Sequence, residues 1–327
     1  MSGRLVVTGA AGFIGSHACA ALLAHGWDVV GIDNFDPYYA RAIKTRSLGA
    51  LADAPGFRFI EADVRDREAV EPWMRGADAV VHLAARAGVR PSVRDPVSCV
   101  TINVGGTAAV LDTMRRAGVK RLVLGSSASV YGEGVPLPTP EDRTPLWPAS
   151  PYGASKRGAE VLCTAFTPLA SLRVAILRLF SVYGPRQRPD QAIFRFTEAM
   201  MGGAAVERLG DGTSARDYTH VDDVVDALRA AVTWTAGAAP ACETFNVGSG
   251  RPVTLDRLIA TLGAALGLMP AVQAAPAAPA DVRCTYADVA KAQRLLGFAP
   301  RVRFEDGIND FVEWFEVAYG SASGASR

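Results

Sequence analysis

Cysteine is scarce and scattered. The 327 residues contain five, Cys19, Cys99, Cys163, Cys242 and Cys284, with no CxxC pair. That distribution argues against a disulfide scaffold or a zinc site and suits a reducing, cytoplasmic compartment. A surplus of charge is also missing: Lys plus Arg is 34 against 33 Asp plus Glu, a formal net charge of +1. Such a chain has no electrostatic footprint for nucleic acid or an anionic membrane, so any bound anion must be held by locally placed groups. Residues 258–280 carry no charge, but Pro270, Pro276 and Pro279 break the run. They leave about 12 helical residues where a bilayer needs about 20. The apolar start after Arg4 imitates a signal peptide, yet its three spaced glycines have a different reason, given below. No internal repeat is visible. His17, His82 and His220 fall where core or capping roles fit, and no metal-ligating cluster is apparent. What is present is 49% apolar and 20% charged residues. This is the composition of a globular chain with a large core, at a length of about two domains.

Short β-branched runs alternate with amphipathic stretches through the first half. Leu5–Thr8, Val29–Asp33, Phe57–Glu61, Ala79–Leu83, Arg121–Ser127 and Val174–Phe180 read as strands. Gly15–Ala24, Val104–Ala117 and Tyr152–Ala165 read as helices. The alternation predicts an α/β fold, a Rossmann-type doubly wound parallel sheet. Residues 1–180 form this domain, with returns near 220–250. Residues 181–320 form a smaller, interleaved mixed α/β lobe, and 321–327 a frayed tail. Within the lobe, Ala192–Met201, Val221–Trp234 and Leu255–Leu266 are expected to be helical and Thr244–Val247 a strand. Val206–Thr219 resembles a hairpin turning at Gly210-Asp211-Gly212.

The first strand runs into Gly9-Ala-Ala-Gly12-Phe13-Ile14-Gly15 and then a helix. Glycines serve where a chain turns tightly and where backbone must approach a pyrophosphate, while the helix start offers free N–H groups and a positive dipole end. The next strand ends in Asp33, 18 residues past Gly15. An acid there accepts hydrogen bonds from ribose hydroxyls and repels a 2′-phosphate, favouring NAD; a turn or capping aspartate is the alternative. Asp63, followed by Val64, could meet the adenine edge or close a turn. Asn34 and Arg41 are further candidates.

Tyr152-Gly-Ala-Ser-Lys156 places a phenol and an ammonium four residues apart on one helix face. A free tyrosine, with a pKa of about 10, is a poor base; a neighbouring cation favours the phenolate. Ser126-Ser127 ends a strand at the carboxyl edge of the sheet, where ligands bind, and adds a hydroxyl partner; capping serines are the alternative.

Together GAAGFIG, the HLAA of His82–Ala85, the SSASVYG of Ser126–Gly132 and YGASK resemble the extended short-chain dehydrogenase/reductases that act on nucleotide sugars. The resemblance continues through residues 177–184, Gly212–Tyr218, Val221-Asp-Asp223 and Phe245-Asn-Val-Gly248, and reaches about Phe315. It implies NAD held by the glycine loop, Asp33, Asp63, Leu83, Ala84, Ala85 and Asn103, and a UDP-sugar oxidised transiently at C4. Tyr152 would take the C4 hydroxyl proton with Ser127 sharing the hydrogen bond. Lys156 would hold the nicotinamide ribose and lower the tyrosine pKa. A homodimer through the Tyr152 helix and the one before it is implied as well.

Related dehydratases carry an Asp-Glu pair just before VYG, and related decarboxylases a Glu; Ala128-Ser129 stands here. Without that carboxyl group, elimination and assisted decarboxylation lose their acid/base residue, whereas epimerisation needs none. The loop Tyr183-Gly-Pro-Arg186-Gln-Arg188-Pro-Asp190, Ser181, Gly88-Val-Arg90-Pro-Ser92 and residues 33–39 are most similar to UDP-glucuronate 4-epimerases. A sugar carboxylate calls for a planar guanidinium fork, with Arg188 first and Arg186 in reserve; surface charges are the alternative. Arg216 would bind the diphosphate. Asp281, in Pro-Ala-Asp where the family has Pro-Gly-Asp, would meet the uridine ribose. A UDP-glucose/UDP-galactose 4-epimerase and a non-catalytic NAD-binding regulatory protein are the rival readings.

Overall fold

In a computed structural model, the structure describes residues 3–49, 51–142, 146–276 and 282–320. Twelve strands are seen among them: β1 Arg4–Thr8, β2 Asp28–Asp33, β3 Phe57–Glu61, β4 Ala79–His82, β5 Arg121–Ser127, β6 Arg173–Leu179, β7 Ser181–Tyr183, β8 Val206–Leu209, β9 Ala215–His220, β10 Ala241–Val247, β11 Pro252–Thr254 and β12 Val272–Ala275. Seven form a parallel sheet in the order β10-β6-β5-β4-β1-β2-β3. Its central strands are buried on both faces, because helices cover both sides. After β3 the chain crosses back to the other side of β1, so the carboxyl ends of β1 and β4 diverge into a crevice, the usual ligand site of such sheets. The strand expected at Thr244–Val247 is longer and joins this sheet as its edge, β10.

The hairpin expected over Val206–Thr219 does not form. β8 pairs in parallel with β12, while β9 lies between β7 and β11 in a separate three-stranded sheet. The chain does turn at Gly210-Asp211-Gly212, where Asp211 accepts from the backbone and hydroxyl of Thr213. Each flanking strand, however, finds a partner distant in sequence. Helices Ala192–Met201, Leu255–Leu266 and Phe304–Tyr319 pack a second core of Phe194, Leu258, Phe311 and Phe315.

Two helices position the chemistry. Pro151–Leu169 starts with proline in its first turn, and the Ser150 hydroxyl accepts from Gly153 N at 3.1 Å. Pro96–Val100, a π-helical turn Thr101–Gly105 and Gly106–Ala117 form one apolar run that packs against it.

Candidate active site

The glycine loop is packed so tightly that side chains would not fit. A Cβ on Gly15 would lie 2.0 Å from the Gly9 carbonyl oxygen, and Gly9 has φ +74° with Ala84 N 2.7 Å from its missing Cβ. The following helix, Phe13–Ala24, starts at Gly12 with no side-chain cap and no acid in its first turn, which leaves an open N-terminus. Asp33, at the tip of β2, is buried. One carboxylate oxygen accepts from Ala11 N at 3.1 Å and the other from Phe35 N at 2.8 Å, tying the glycine loop to β2. Burial raises its pKa, while Lys44, 3.9 Å away, works in the opposite direction. Asp63 accepts from Asn34 and Arg65, and the Arg65 hydrogen bond is the main reason its pKa falls to about 2. Gly9, Gly12, Phe13, Ile14, Gly15, Asp33, Asn34, Asp63, Val64, Leu83, Ala84 and Ala85 all line one cleft of about 460 Å3.

Two cofactor candidates have other roles. Asn103 is buried in the π-helical turn and does not line the cleft. Its amide accepts from Arg86 N at 2.7 Å and donates to Arg86 O at 3.0 Å and to Ser155 Oγ at 2.8 Å. It therefore clamps the wall loop to the Tyr152 helix. Arg41 pairs with Glu61 on the surface.

Ser127, Tyr152 and Lys156 line the same cleft. Alternation along β5 sends Ser126 backward, where its hydroxyl donates to the buried Glu160 at 2.7 Å, and turns Ser127 forward. Ser127 Oγ accepts from Ser129 N at 3.1 Å and shares a hydrogen bond with the Tyr152 hydroxyl. Glycine follows Tyr152 because a Cβ at Gly153 would approach Ser129 O to 2.3 Å. The expected influence of Lys156 on Tyr152 is not seen. Burial raises the tyrosine pKa, offset by the Ser127 hydrogen bond and the positive charge of Arg188. Lys156 Nζ instead donates to Gly125 O at 2.8 Å, and burial lowers its pKa to about 8.

Among the substrate candidates, Ser181, Arg188 and Arg216 line the cleft. A second pocket of about 190 Å3 adjoins it, sharing Ser127, Phe180, Ser181 and Arg216 and reaching Cys284 and Thr285. Ala128 and Ser129 line this pocket, and no acid does among the described residues. Arg186 turns away: with φ +64° it donates to His17 Nδ1 at 3.0 Å and reaches Ser47 O at 3.4 Å. It braces the basic loop against the glycine-loop helix. Arg90 is exposed on the short helix Val89–Arg94 and lines neither pocket. Asp281 lies outside the described residues.

The structure adds Tyr38, Lys44, Arg86, Gln187 and Gln191 to the cleft lining. Lys44 lies on a short polar helix without an apolar stripe, so only its proximity to Asp33 reveals it. Gln187 neighbours the two arginines that drew the reading; its carbonyl oxygen is buried without a protein partner. His82 bonds Thr8 and Thr107, His220 caps a helix, and His17 holds Pro185 O. His220, Asp222 and Asp310 place possible ligand atoms within 4.8 Å of one another, but line neither pocket.

Residues 5–248 match the NAD dependent epimerase/dehydratase family. The UDP-glucuronate 4-epimerase of Thermodesulfobacterium geofontis is 36% identical over 95% of this chain and 96% of its own. A UDP-glucuronic acid 4-epimerase mutant from Bacillus cereus, solved with UDP-4-deoxy-4-fluoro-glucuronic acid and NAD, superposes with a TM-score of 0.91 at 33% identity, covering 97% of this chain and 100% of that one. The UDP-glucose 4-epimerase of Thermotoga maritima, solved with UDP-glucose, gives 0.86 at 34% identity, over 96% and 99%.

Proposed function

The chain belongs to the NAD dependent epimerase/dehydratase family, and on that premise we propose that it inverts C4 of UDP-glucuronate to give UDP-galacturonate through a transient 4-keto sugar. The observation that carries this reading is the placement of the Arg188 guanidinium in the same cleft as the Ser127–Tyr152 hydroxyl pair, close enough for its charge to act on the phenol. A cation there matches a C6 carboxylate and has no equivalent need in a neutral hexose.

The residues fit NAD: glycines that leave no room for Cβ atoms, an uncapped helix start for a pyrophosphate, and Asp33 facing the cleft for ribose hydroxyls. When bound, NAD supplies the redox chemistry at C4. Tyr152 takes the O4 proton and returns it after the sugar turns over, with Ser127 fixing the hydroxyl's direction. Lys156, whose ammonium lines the cleft beside Gly125 O, would hold a ribose hydroxyl. Arg216 meets the diphosphate. The second pocket has no acid at Ala128-Ser129, so no described carboxyl group there serves elimination or decarboxylation. A 4-keto uronate is a β-keto acid, and Arg188 would hold its carboxylate out of line with the ketone while the intermediate lasts.

Incubating the protein with UDP-glucuronate and reading the C4 configuration by NMR tests this, with UDP-glucose in parallel. Turnover of UDP-glucose alone favours the neutral-sugar epimerase, and no product with either favours a binding protein. Five free thiols suit a cytoplasmic enzyme. A homodimer is supported by exposed apolar side chains on helices that pack together: Val97 and Val100 on one, Val161 and Leu169 on the Tyr152 helix.

A further inference from the structure

Arg188 already has a partner. Its Nε donates to Asp190 Oδ1 and its Nη2 to Asp190 Oδ2, both at 2.9 Å. Asp190 Oδ2 also accepts from the Tyr38 hydroxyl at 3.0 Å. The Tyr38 ring lies 5.9 Å from the guanidinium carbons of both Arg188 and Arg86. Tyr38 belongs to the loop that leaves β2 just after Asp33, so the strut spans from the cofactor corner to the basic loop.

A guanidinium has five N–H groups in one plane. Asp190 takes the edge formed by Nε and Nη2. The edge formed by the two terminal nitrogens keeps its donors, and that edge can grip a second carboxylate in a fork. The Arg188 side chain is 18% exposed, and no other hydrogen bond from it to the protein is found among the described residues. Without Asp190, a long flexible side chain would have to be ordered by the substrate itself. The geometry points to Asp190, steadied by Tyr38, as the positioning residue that fixes which edge of Arg188 faces the sugar acid. This deepens the UDP-glucuronate reading and rests on it. The Arg188–Asp190 unit carries no net charge, so recognition depends on the direction of the open fork and not on a general pull on anions. With the sugar acid bound, one cation faces two carboxylates on separate edges: each is hydrogen-bonded, and the trio carries one net negative charge.

The test compares wild type with Asp190→Asn, Tyr38→Phe and Asp190→Glu, using UDP-glucuronate turnover and titration with UDP-glucuronate and with UDP, which lacks the sugar acid. Asp190→Asn raises the KM for UDP-glucuronate roughly tenfold, as loss of a charge-assisted pair would, with a smaller fall in kcat. Tyr38→Phe moves KM about twofold to threefold in the same direction. Asp190→Glu recovers part of the loss, and UDP affinity stays within about twofold throughout. An Asp190→Asn KM that is unchanged or lower overturns the proposal, as does equal weakening of UDP and UDP-glucuronate. If the wild-type protein neither turns over UDP-glucuronate nor binds it more tightly than UDP, the substrate reading falls and takes this proposal with it. With wild-type turnover intact, only the positioning role is at stake.

Discussion

Tyr152 holds its proton more firmly in the free site than in water, because burial outweighs both the Ser127 hydrogen bond and Arg188. On the proposed function, the phenol would act as a base only once bound ligands complete its surroundings. Tyr152→Phe should lower kcat by about three orders of magnitude while UDP-glucuronate binding changes little, measurable by titration beside turnover. Lys156 offers a pH signature. Burial depresses its folded value to about 8, so the cation proposed to hold the ribose is lost as pH rises through that value, and kcat should fall with it. A rate that stays level to about pH 9.5 would contradict this. The stability effect has the opposite sense. An unfolded lysine titrates near 10.4, so between about 8 and 10.4 the unfolded chain binds more protons. The group's contribution to stability therefore rises across that window, by up to roughly 3 kcal/mol. Lys156→Met should remove that rise in denaturant titrations at pH 7.5 and 9.5. The two loop arginines separate by product. Arg188→Ala should raise KM and release more decarboxylated 4-keto-pentose by mass spectrometry. Arg186→Ala should leave the product ratio alone and cost about 1–2 kcal/mol of stability, through loss of the His17 and Ser47 contacts.

At the scale of elements, the glycine loop is limiting because β1, the loop and the helix after it approach one another through backbone. Gly15→Ala would press a methyl against Gly9 O. It should cost about 3 kcal/mol or more and yield protein purified without NAD, seen by melting temperature and by cofactor release. The strands of the main sheet were legible because burial on both faces makes them continuous apolar runs. Phe304–Tyr319 was not read, although Ile308, Phe311, Val312 and Phe315 fall at i, i+3, i+4 and i+7. The signal was present there. For Arg41–Leu48 it was faint, since only Lys44, Ser47 and Leu48 are buried and the helix is mostly polar. The missed separation of β8 from β9 has another cause: Asp211 and the glycines specify a turn, but not which strands lie beside it.

For the whole molecule, two lobes meet over the cleft and one helical face is left apolar. Val97→Asp combined with Leu169→Asp should halve the mass measured by light scattering if that face pairs with a second copy, because each change would place a charge where about 1.5–3 kcal/mol of apolar burial is expected. The glycine loop and Asp33 were readable from order and spacing, since each is set by local backbone geometry, a tight turn and a strand end; for Ser127, Tyr152 and Lys156 spacing only allowed the pairing, and the family resemblance singled them out. The orientation of long side chains was not. Arg186 and Arg188 are two residues apart in one loop, yet one bonds His17 and the other lines the cleft paired with Asp190. Asn103 and Arg90 carry suitable chemistry but are drawn aside by partners or solvent. Such outcomes depend on which groups from distant segments arrive within hydrogen-bond reach, and that is fixed only when the sheet, the flanking helices and the second lobe have packed together.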